Sequence, residues 1–240
     1  RILLVVCLAV FLYSAGNLAN IGYKYHKLDS DNNKLQEEVV TEVKQDSPLD
    51  RKVDFNQLKS INEDIVGWIY IPNTNIDYAL LKGKTNDTYI HTNYEKKYSF
   101  GGSIFLDEDN NASMTDSNTI IYGHNMKNGR MFAPLMKFKN KECFDKHQTI
   151  EFITPNEKAI YHIVCVAKVK ADDSWYSFIE DSGESHYNEK IKELYSKSLY
   201  HSDYEFGYDD EFLTLSTCEY SQNDGRLIVV AVKEGANSNV

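Results

Sequence analysis

Apolar and polar positions along the chain follow three successive patterns. Residues 2–23 carry no charge and are strongly apolar in their first half. A helix of about 20 such residues is long enough to cross a bilayer. In the polar stretch that follows, four apolar residues recur at helical spacing and predict a juxtamembrane helix that ends near Ser47 and Pro48. These four are Leu28, Leu35, Val39 and Val43.

From residue 54 onward the pattern predicts a β-rich domain. Asp54 is a good N-cap for a short helix over Phe55–Ile61. Short β-rich runs then alternate with turn residues, and a hairpin is predicted through Pro155 and Asn156. The predicted strands are 66–71, 76–81, 102–106, 118–122, 149–153, 159–169, 211–217 and 226–232. About eight short strands indicate a mostly β fold, either a barrel or a sandwich.

Two other segments lie among these strands. Residues 131–138 have a helical pattern. The connection 170–207 is long and includes a second helical pattern at 187–200. A connection of this length inside a compact domain usually carries function.

The apolar N-terminal segment has two interpretations. It could be a cleaved signal peptide, since residues 14–16 are small enough for a cleavage site. An uncleaved anchor with Arg1 on the cytoplasmic side is favoured by the positive-inside tendency. We therefore expect a single-pass protein of the cell membrane with its folded part outside the cell. The chain divides into an anchor at 1–23, a helical stalk at 24–53 and a β-rich domain at 54–240.

Composition narrows the possible partners and cofactors. The net charge of −10 argues against nucleic acid, because phosphate binding needs a basic surface. The four cysteines include no Cys-x-x-Cys pair, which argues against a zinc ribbon, and they form no evident disulfide framework.

An acidic cluster at 107–109 resembles the start of a calcium loop. An EF-hand needs Gly at the sixth position and Glu at the twelfth, where this chain has Ala112 and Asn118. We therefore interpret the cluster as a solvated turn and expect neither a metal nor another cofactor.

Cys218 is a candidate nucleophile because it ends a predicted strand beside a polar loop. A nucleophilic thiol needs a nearby cation or base. Arg226 opens the next strand, and a short antiparallel connection would bring it to the same end of the pair. Its guanidinium can stabilise a developing oxyanion. Taken alone, most single cysteines are packing residues and most strand-end arginines are surface residues.

A histidine would complete such a site, but spacing alone does not choose among the seven in the chain. His124 follows a predicted strand at a glycine turn. The other six are His26, His91, His147, His162, His186 and His201.

The strongest signal is a resemblance to the sortase family. The string Thr-Leu-Ser-Thr-Cys at 214–218 resembles the TLxTC signature of sortases, and Arg226 follows in the next strand as their arginine does. The Tyr-Gly-His string at 122–124 resembles the segment that carries their histidine. The longer run 122–132 is similar to the class B subgroup. The resemblance covers roughly residues 54–233.

This resemblance implies a fold and an activity. The expected fold is a single closed eight-stranded β-barrel with N-terminal helices and a helix in the long connection between strands 6 and 7. The expected activity is that of a cysteine transpeptidase. It would cleave a C-terminal sorting motif of exported proteins at a Thr–Gly-like bond through a cysteine thioester. It would then transfer the acyl group to an amine of the peptidoglycan.

The resemblance also assigns roles to residues. Cys218 would be the nucleophile and His124 its acid/base partner. Arg226 would stabilise the oxyanion together with a backbone N–H near Glu219. Weaker candidates for substrate contact are Ser216, Tyr176, Ser177 and Tyr204. A hydrolytic cysteine protease using the same residues and a non-catalytic surface binding domain both stay open. Motifs of the LPxTG and NPxTN kinds are both compatible with the sequence.

Overall fold

A computed structural model describes residues 2–41 and 51–235. One uninterrupted helix, α1, spans Ile2–Val39. Each residue of α1 from 2 to 23, the span that carries no charge, is exposed. Among the described residues, α1 is the one helix long and apolar enough to cross a membrane.

The second half of α1 packs on the folded domain. Leu28, Leu35 and Val39 are buried there, which confirms the helical spacing predicted for them. Val43, and the predicted end of the helix near Ser47 and Pro48, lie outside the described residues.

Eight strands form a closed β-barrel, as predicted. They are β1 (Ile65–Tyr70), β2 (Asp77–Lys82), β3 (Ile104–Leu106), β4 (Asn118–Tyr122), β5 (Thr149–Ile153), β6 (Lys158–Lys170), β7 (Phe212–Cys218) and β8 (Gly225–Lys233). Their order around the barrel is β8-β7-β4-β3-β2-β1-β5-β6, and pairing of β6 with β8 closes the ring. The pairs β2–β3 and β4–β7 are parallel, and the other pairs are antiparallel. Closure leaves these strands without a free edge.

Apolar residues fill the barrel and also cover it on two sides. The interior is packed with buried side chains such as Ile69, Leu80 and Leu215. One outer face is covered by α1 and by α2 (Phe55–Ile61), which Asp54 caps by accepting from the Gln57 N–H at 3.0 Å, as predicted. The fold therefore has helices on the outside of a filled barrel, which makes the barrel wall rigid.

The connection between β6 and β7 covers a second outer face. It contains a 3₁₀ turn at Ser174–Ser177 and the helix α4 (Glu184–Ser196). Trp175, Phe178 and Tyr187 from this connection are buried against β6, β7 and β8. The predicted helix in the long connection is therefore present, and it is docked on the barrel.

The predicted extent of that helix was wrong at its C-terminal end. A helix was expected over 187–200, but α4 ends at Ser196, and Ser198–His201 forms a further strand paired with β6. The segment alternates between half-buried and exposed residues, and Tyr200 packs against the main core. Pairing with β6 satisfies its backbone, so tertiary contact overrides the helical spacing.

The segment predicted as helical at 131–138 is a 3₁₀ helix over Ala133–Lys139. It leads into the short helix α3 (Lys141–Lys146), which carries Cys143. Cys165, in β6, is fully buried in the core, and the structure describes every cysteine as a free thiol.

Candidate active site

At one rim of the barrel two neighbouring strands, β4 and β7, end and a third, β8, begins. Cys218, the last residue of β7, lies directly opposite Arg226 in the antiparallel ladder with β8, as predicted for paired strand ends. On the other side β7 runs parallel to β4, with Ser216 opposite Tyr122. His124 comes two residues after the end of β4 and so reaches the same rim.

Hydrogen bonds tie the turn that carries His124 to β7. The Thr217 hydroxyl donates to the Gly123 carbonyl at 2.7 Å. On the other side of the histidine, the Asn125 amide Nδ2 donates to the Cys218 carbonyl at 2.9 Å. Both neighbours of His124 are thus fixed to the strand that presents the thiol.

The three side chains line one cavity of about 260 Å³. Cys218, His124 and Arg226 are each half-buried, so they are sheltered but can be reached. The other lining residues are Asn86, Ile90, Phe105, Tyr122, Gly123, Ala171, Tyr176, Ser216 and Thr217. A thiol, an imidazole and a guanidinium at one cavity wall form the chemistry required for cysteine-dependent acyl transfer.

The hydrogen bond of His124 defines which ring nitrogen can exchange a proton. Nε2 lies 2.9 Å from the Ile90 carbonyl oxygen, which can only accept, so Nε2 carries a proton. The nitrogen left for proton exchange is Nδ1. Burial lowers the pKa of His124 below its ordinary value, and the ring of His91, stacked 5.5 Å away, lowers it further. His124 is therefore mostly neutral at neutral pH.

Arg226 is held by the start of its own strand. Its Nη1 donates to the Gly225 carbonyl at 3.0 Å, which leaves other guanidinium donors for a ligand. The same carbonyl accepts the Glu219 N–H at 2.9 Å. The N–H of Glu219 is thus engaged within the loop, and an oxyanion contact from another backbone N–H near Glu219 stays a prediction.

The carboxylate of Glu219 stabilises the loop after Cys218. Its side chain is 3% exposed, and Lys139 approaches it at 2.8 Å. Burial alone would raise the pKa of Glu219, but hydrogen bonds from Lys139 and Ser221 lower it to about 2. Glu219 does not line the cavity, so its role is to fix the loop between β7 and β8.

Two of the four candidates for substrate contact line the cavity. The hydroxyls of Ser216 and Tyr176 lie 2.7 Å apart, and burial raises the pKa of Tyr176 so that its phenol stays protonated. Ser177 instead bonds to the Ser174 carbonyl and is exposed. Tyr204 stacks on His162 at 4.3 Å beside a separate cavity.

Sequence reasoning missed the support behind one wall of the cavity. Asp107 is buried and accepts a hydrogen bond from the Asn86 amide at 3.1 Å, and its carboxylate adds to burial in raising the pKa of Tyr122. The interpretation of the acidic cluster as a solvated turn was therefore wrong for Asp107, although Glu108 and Asp109 are exposed. No local pattern marks this contact, because it joins three separate segments of the chain.

Comparison with known proteins agrees with this barrel fold. A family model described as "Sortase domain" matches residues 69–234. A sortase B of Listeria monocytogenes is 36% identical over 180 residues, which are 73% of this chain and 72% of that protein.

Solved structures agree as well. Clostridium perfringens sortase B superposes with a TM-score of 0.71 at 38% identity, covering 76% of this chain and all of that one. A Staphylococcus aureus sortase B–substrate complex gives a TM-score of 0.71 at 30% identity, covering 91% and 94% of the two chains.

The fold and the cavity define a barrel enzyme of the acyl-transfer type, and the chain belongs to the sortase family. Within that family it is a sortase B-type transpeptidase of cell-wall sorting.

Proposed function

We propose that Cys218 is the nucleophile of this transpeptidase, His124 its acid/base partner and Arg226 the group that stabilises the oxyanion. The observation that carries this assignment is that three adjacent strands bring these side chains to one cavity. The remaining cysteines give no competing site. Cys165 is fully buried, Cys143 lies on α3, and Cys7 lies in the apolar part of α1.

Acylation begins when the Cys218 thiolate attacks the carbonyl carbon of the threonine in a sorting motif. Arg226 donates to the oxyanion of the tetrahedral intermediate, where a planar fork of donors fits better than a point charge. The His124 imidazolium gives a proton to the departing amine, and a thioester on Cys218 remains. Because burial lowers the pKa of His124, this imidazolium is the minor form at neutral pH.

Deacylation uses the more abundant form of the histidine. An amine of the peptidoglycan attacks the thioester carbon, neutral His124 accepts a proton from that amine, and the Cys218 sulfur leaves as the amide forms. The lowered pKa of His124 therefore favours this second half of the reaction.

The substrate class and the location follow from the same assignment. The substrates are exported proteins that carry a C-terminal sorting pentapeptide, in keeping with the solved substrate complex of the Staphylococcus aureus relative. The uncharged and exposed residues 2–23 of α1 anchor the enzyme as a single span. The barrel then lies on the extracellular side, where exported substrates and peptidoglycan meet.

A peptide-library cleavage assay tests the assignment. Wild type, Cys218→Ala and Cys143→Ala are incubated with pentapeptides of the LPxTG and NPxTN kinds, and trapped thioesters are identified by mass spectrometry. We expect Cys218→Ala to abolish turnover and the adduct, while Cys143→Ala, the matched control on α3, keeps both. An adduct on Cys143, or turnover by Cys218→Ala, would contradict the proposal.

The acceptor separates transfer from hydrolysis. Adding diaminopimelate or oligoglycine should convert the acyl-enzyme to an amide product at the expense of the free acid. Free acid alone would favour a hydrolytic protease on the same residues. A non-catalytic binding domain would show no turnover of any peptide and a Cys218 unreactive to a methanethiosulfonate probe.

A further inference from the structure

The barrel meets α1 at the residue where the uncharged span ends. Residues 2–23 are all exposed, Lys24 and Tyr25 are half-buried, and Leu28 is buried. At 1.5 Å per residue the uncharged span is about 33 Å long, which matches the hydrocarbon thickness of a bilayer. If this span is the membrane anchor proposed above, the first contact between α1 and the barrel lies at the membrane surface.

A loop of the barrel follows α1 from that level upward. The ring of Phe100 packs edge-on against Tyr25 with centroids 5.7 Å apart, and the Lys24 ammonium lies 5.6 Å from the Phe100 ring. Further from the anchor, the Tyr94 hydroxyl donates to the carbonyl of Asp31 at 3.1 Å. The loop therefore has its Phe100 end towards the anchor and its Tyr94 end about 9 Å further along the helix.

The end of the loop nearest the anchor presents two aromatic rings to solvent. Tyr98 is 67% exposed and Phe100 is 38% exposed. The backbone that carries them is well ordered, with a bridge between Thr92 and Tyr98 and a Ser99 N–H donated to the His91 carbonyl at 2.9 Å. Exposed aromatic side chains at this depth are typical of the interface between membrane and water.

The same loop reaches the catalytic cavity. The ring of Tyr98 lies 6.2 Å from that of His91, and His91 stacks on His124. Ile90, whose carbonyl accepts a hydrogen bond from the His124 ring, directly precedes His91. The exposed rings and the rim of the cavity are thus parts of one rigid segment.

We propose that Tyr98 and Phe100 form an aromatic tip that inserts into the headgroup region of the bilayer anchored by α1. The inference rests on the proposed membrane anchor, and the bilayer is the partner because the tip continues directly from the end of the membrane span. The contact fixes the barrel at two points, the helix and the tip, so the cavity rim faces the membrane surface instead of swinging about α1.

Fluorescence quenching by lipid tests this contact on the full chain. The protein is reconstituted into phosphatidylcholine–phosphatidylglycerol vesicles that carry a headgroup spin label, and Tyr98→Trp reports on the tip. The native Trp68 and Trp175 are 1% and 2% exposed, so the wild type supplies a constant background. Phe100→Trp is a second reporter in case the first variant does not fold.

Tyr208→Trp is the matched control. Tyr208 is an exposed tyrosine that packs against Tyr187 of α4 near Phe212, the end of β7 opposite Cys218. We expect quenching of Tyr98→Trp to be several-fold stronger than that of Tyr208→Trp.

Vesicle flotation separates the two proposals. If the chain floats with the vesicles but both tip reporters are quenched no more than the control, the tip contact is wrong and the anchor stands. If the chain does not float with the vesicles, the anchor itself is wrong and the tip contact falls with it.

Discussion

The imidazole rings of His91 and His124 lie stacked, with their centroids 5.5 Å apart and their planes 17° from parallel. Protonating both rings would place two positive charges face to face. The pair therefore resists taking up a second proton, in addition to the larger effect of burial on His124. His91, one of the six other histidines in the sequence, thus adds to the effect that burial has on the charge state of the proposed acid/base group.

Replacing His91 with Gln should raise the pKa of His124, because the neighbouring charge is lost while burial stays. An NMR titration of the histidine ring protons in a Cys218→Ala background measures this directly. His201→Gln, which removes an exposed histidine stacked on Tyr195, is the control and should leave the titration of His124 unchanged. No change in His91→Gln would show that the stacked pair is not electrostatically coupled.

Acidification should also reduce stability through His124. Because its folded-state pKa lies below the ordinary value of 6.5, the unfolded chain binds a proton at higher pH than the folded chain does. The free energy of unfolding that neutral His124 contributes is therefore present above about pH 6.5 and is lost as the pH falls below it. Urea denaturation of wild type and His124→Gln between pH 7.5 and 5.5 should show a steeper loss for wild type. Parallel curves would contradict the shifted pKa.

Arg226→Lys should lower kcat/KM by about 10²–10³-fold, the typical loss when one oxyanion donor is removed. The lysine keeps the charge opposite Cys218 but loses the planar fork of donors. Steady-state kinetics on the cleaved pentapeptide measures the effect, with a thermal melt to verify that the barrel is intact. Near-normal activity in a folded Arg226→Lys would rule out the oxyanion role.

Gly102→Ala should damage both stability and activity. Gly102 has a φ of +57°, and an added Cβ would lie 2.1 Å from the Ile90 carbonyl oxygen, which accepts the hydrogen bond of His124. Backbone strain and overpacking together should lower the free energy of unfolding by about 2–5 kcal/mol. Gly129→Ala is the matched control, because Gly129 has a φ of +78° with nothing within 4 Å of a Cβ.

Gly129→Ala should lower the free energy of unfolding by only about 1–2 kcal/mol, because it adds backbone strain alone, and it should keep its activity. Urea denaturation and peptide cleavage are measured on both variants. Equal losses in the two would mean that the contact with Ile90 is unimportant.

Glu219→Gln should destabilise the fold by about 1–3 kcal/mol at pH 7, because Lys139 loses its buried charged partner. The pKa of Glu219 is depressed, so the stability that its carboxylate contributes is present above about pH 4.5 and is lost as the pH falls towards about 2. Chemical denaturation at several pH values should therefore show the difference between wild type and variant shrinking below pH 4.5.

A double-mutant cycle that combines Glu219→Gln with Lys139→Met measures how much of this free energy of unfolding comes from the Glu219–Lys139 pair. A cycle without coupling would show that the loop after Cys218 is held by other contacts.

Local sequence predicted those parts of the site that depend on one hairpin. Cys218 and Arg226 face each other because strands joined by a short turn must pair at their ends, and the residues on both sides of that turn were recognisable as strands. The choice of His124 needed the family resemblance, because its position depends on the parallel pairing of β4 with β7, which are about 90 residues apart. No local pattern encodes such a pairing.

Other misses have the same origin. The helical spacing at 187–200 is interrupted because Ser198–His201 finds a partner in β6. Asp107 is buried because Asn86 and Tyr122 reach it from other segments. In each case a contact distant in sequence outweighs the local preference.

The ladder between β7 and β8 fixes the reacting pair independently of the loop that joins the two strands. Seven successive residue pairs, ending at Cys218 and Arg226, set the distance between these two groups, so residues 220–224 do not. These five residues are exposed and do not line the cavity. That short stretch is therefore where the chain should tolerate an inserted label or tag with its chemistry left in place.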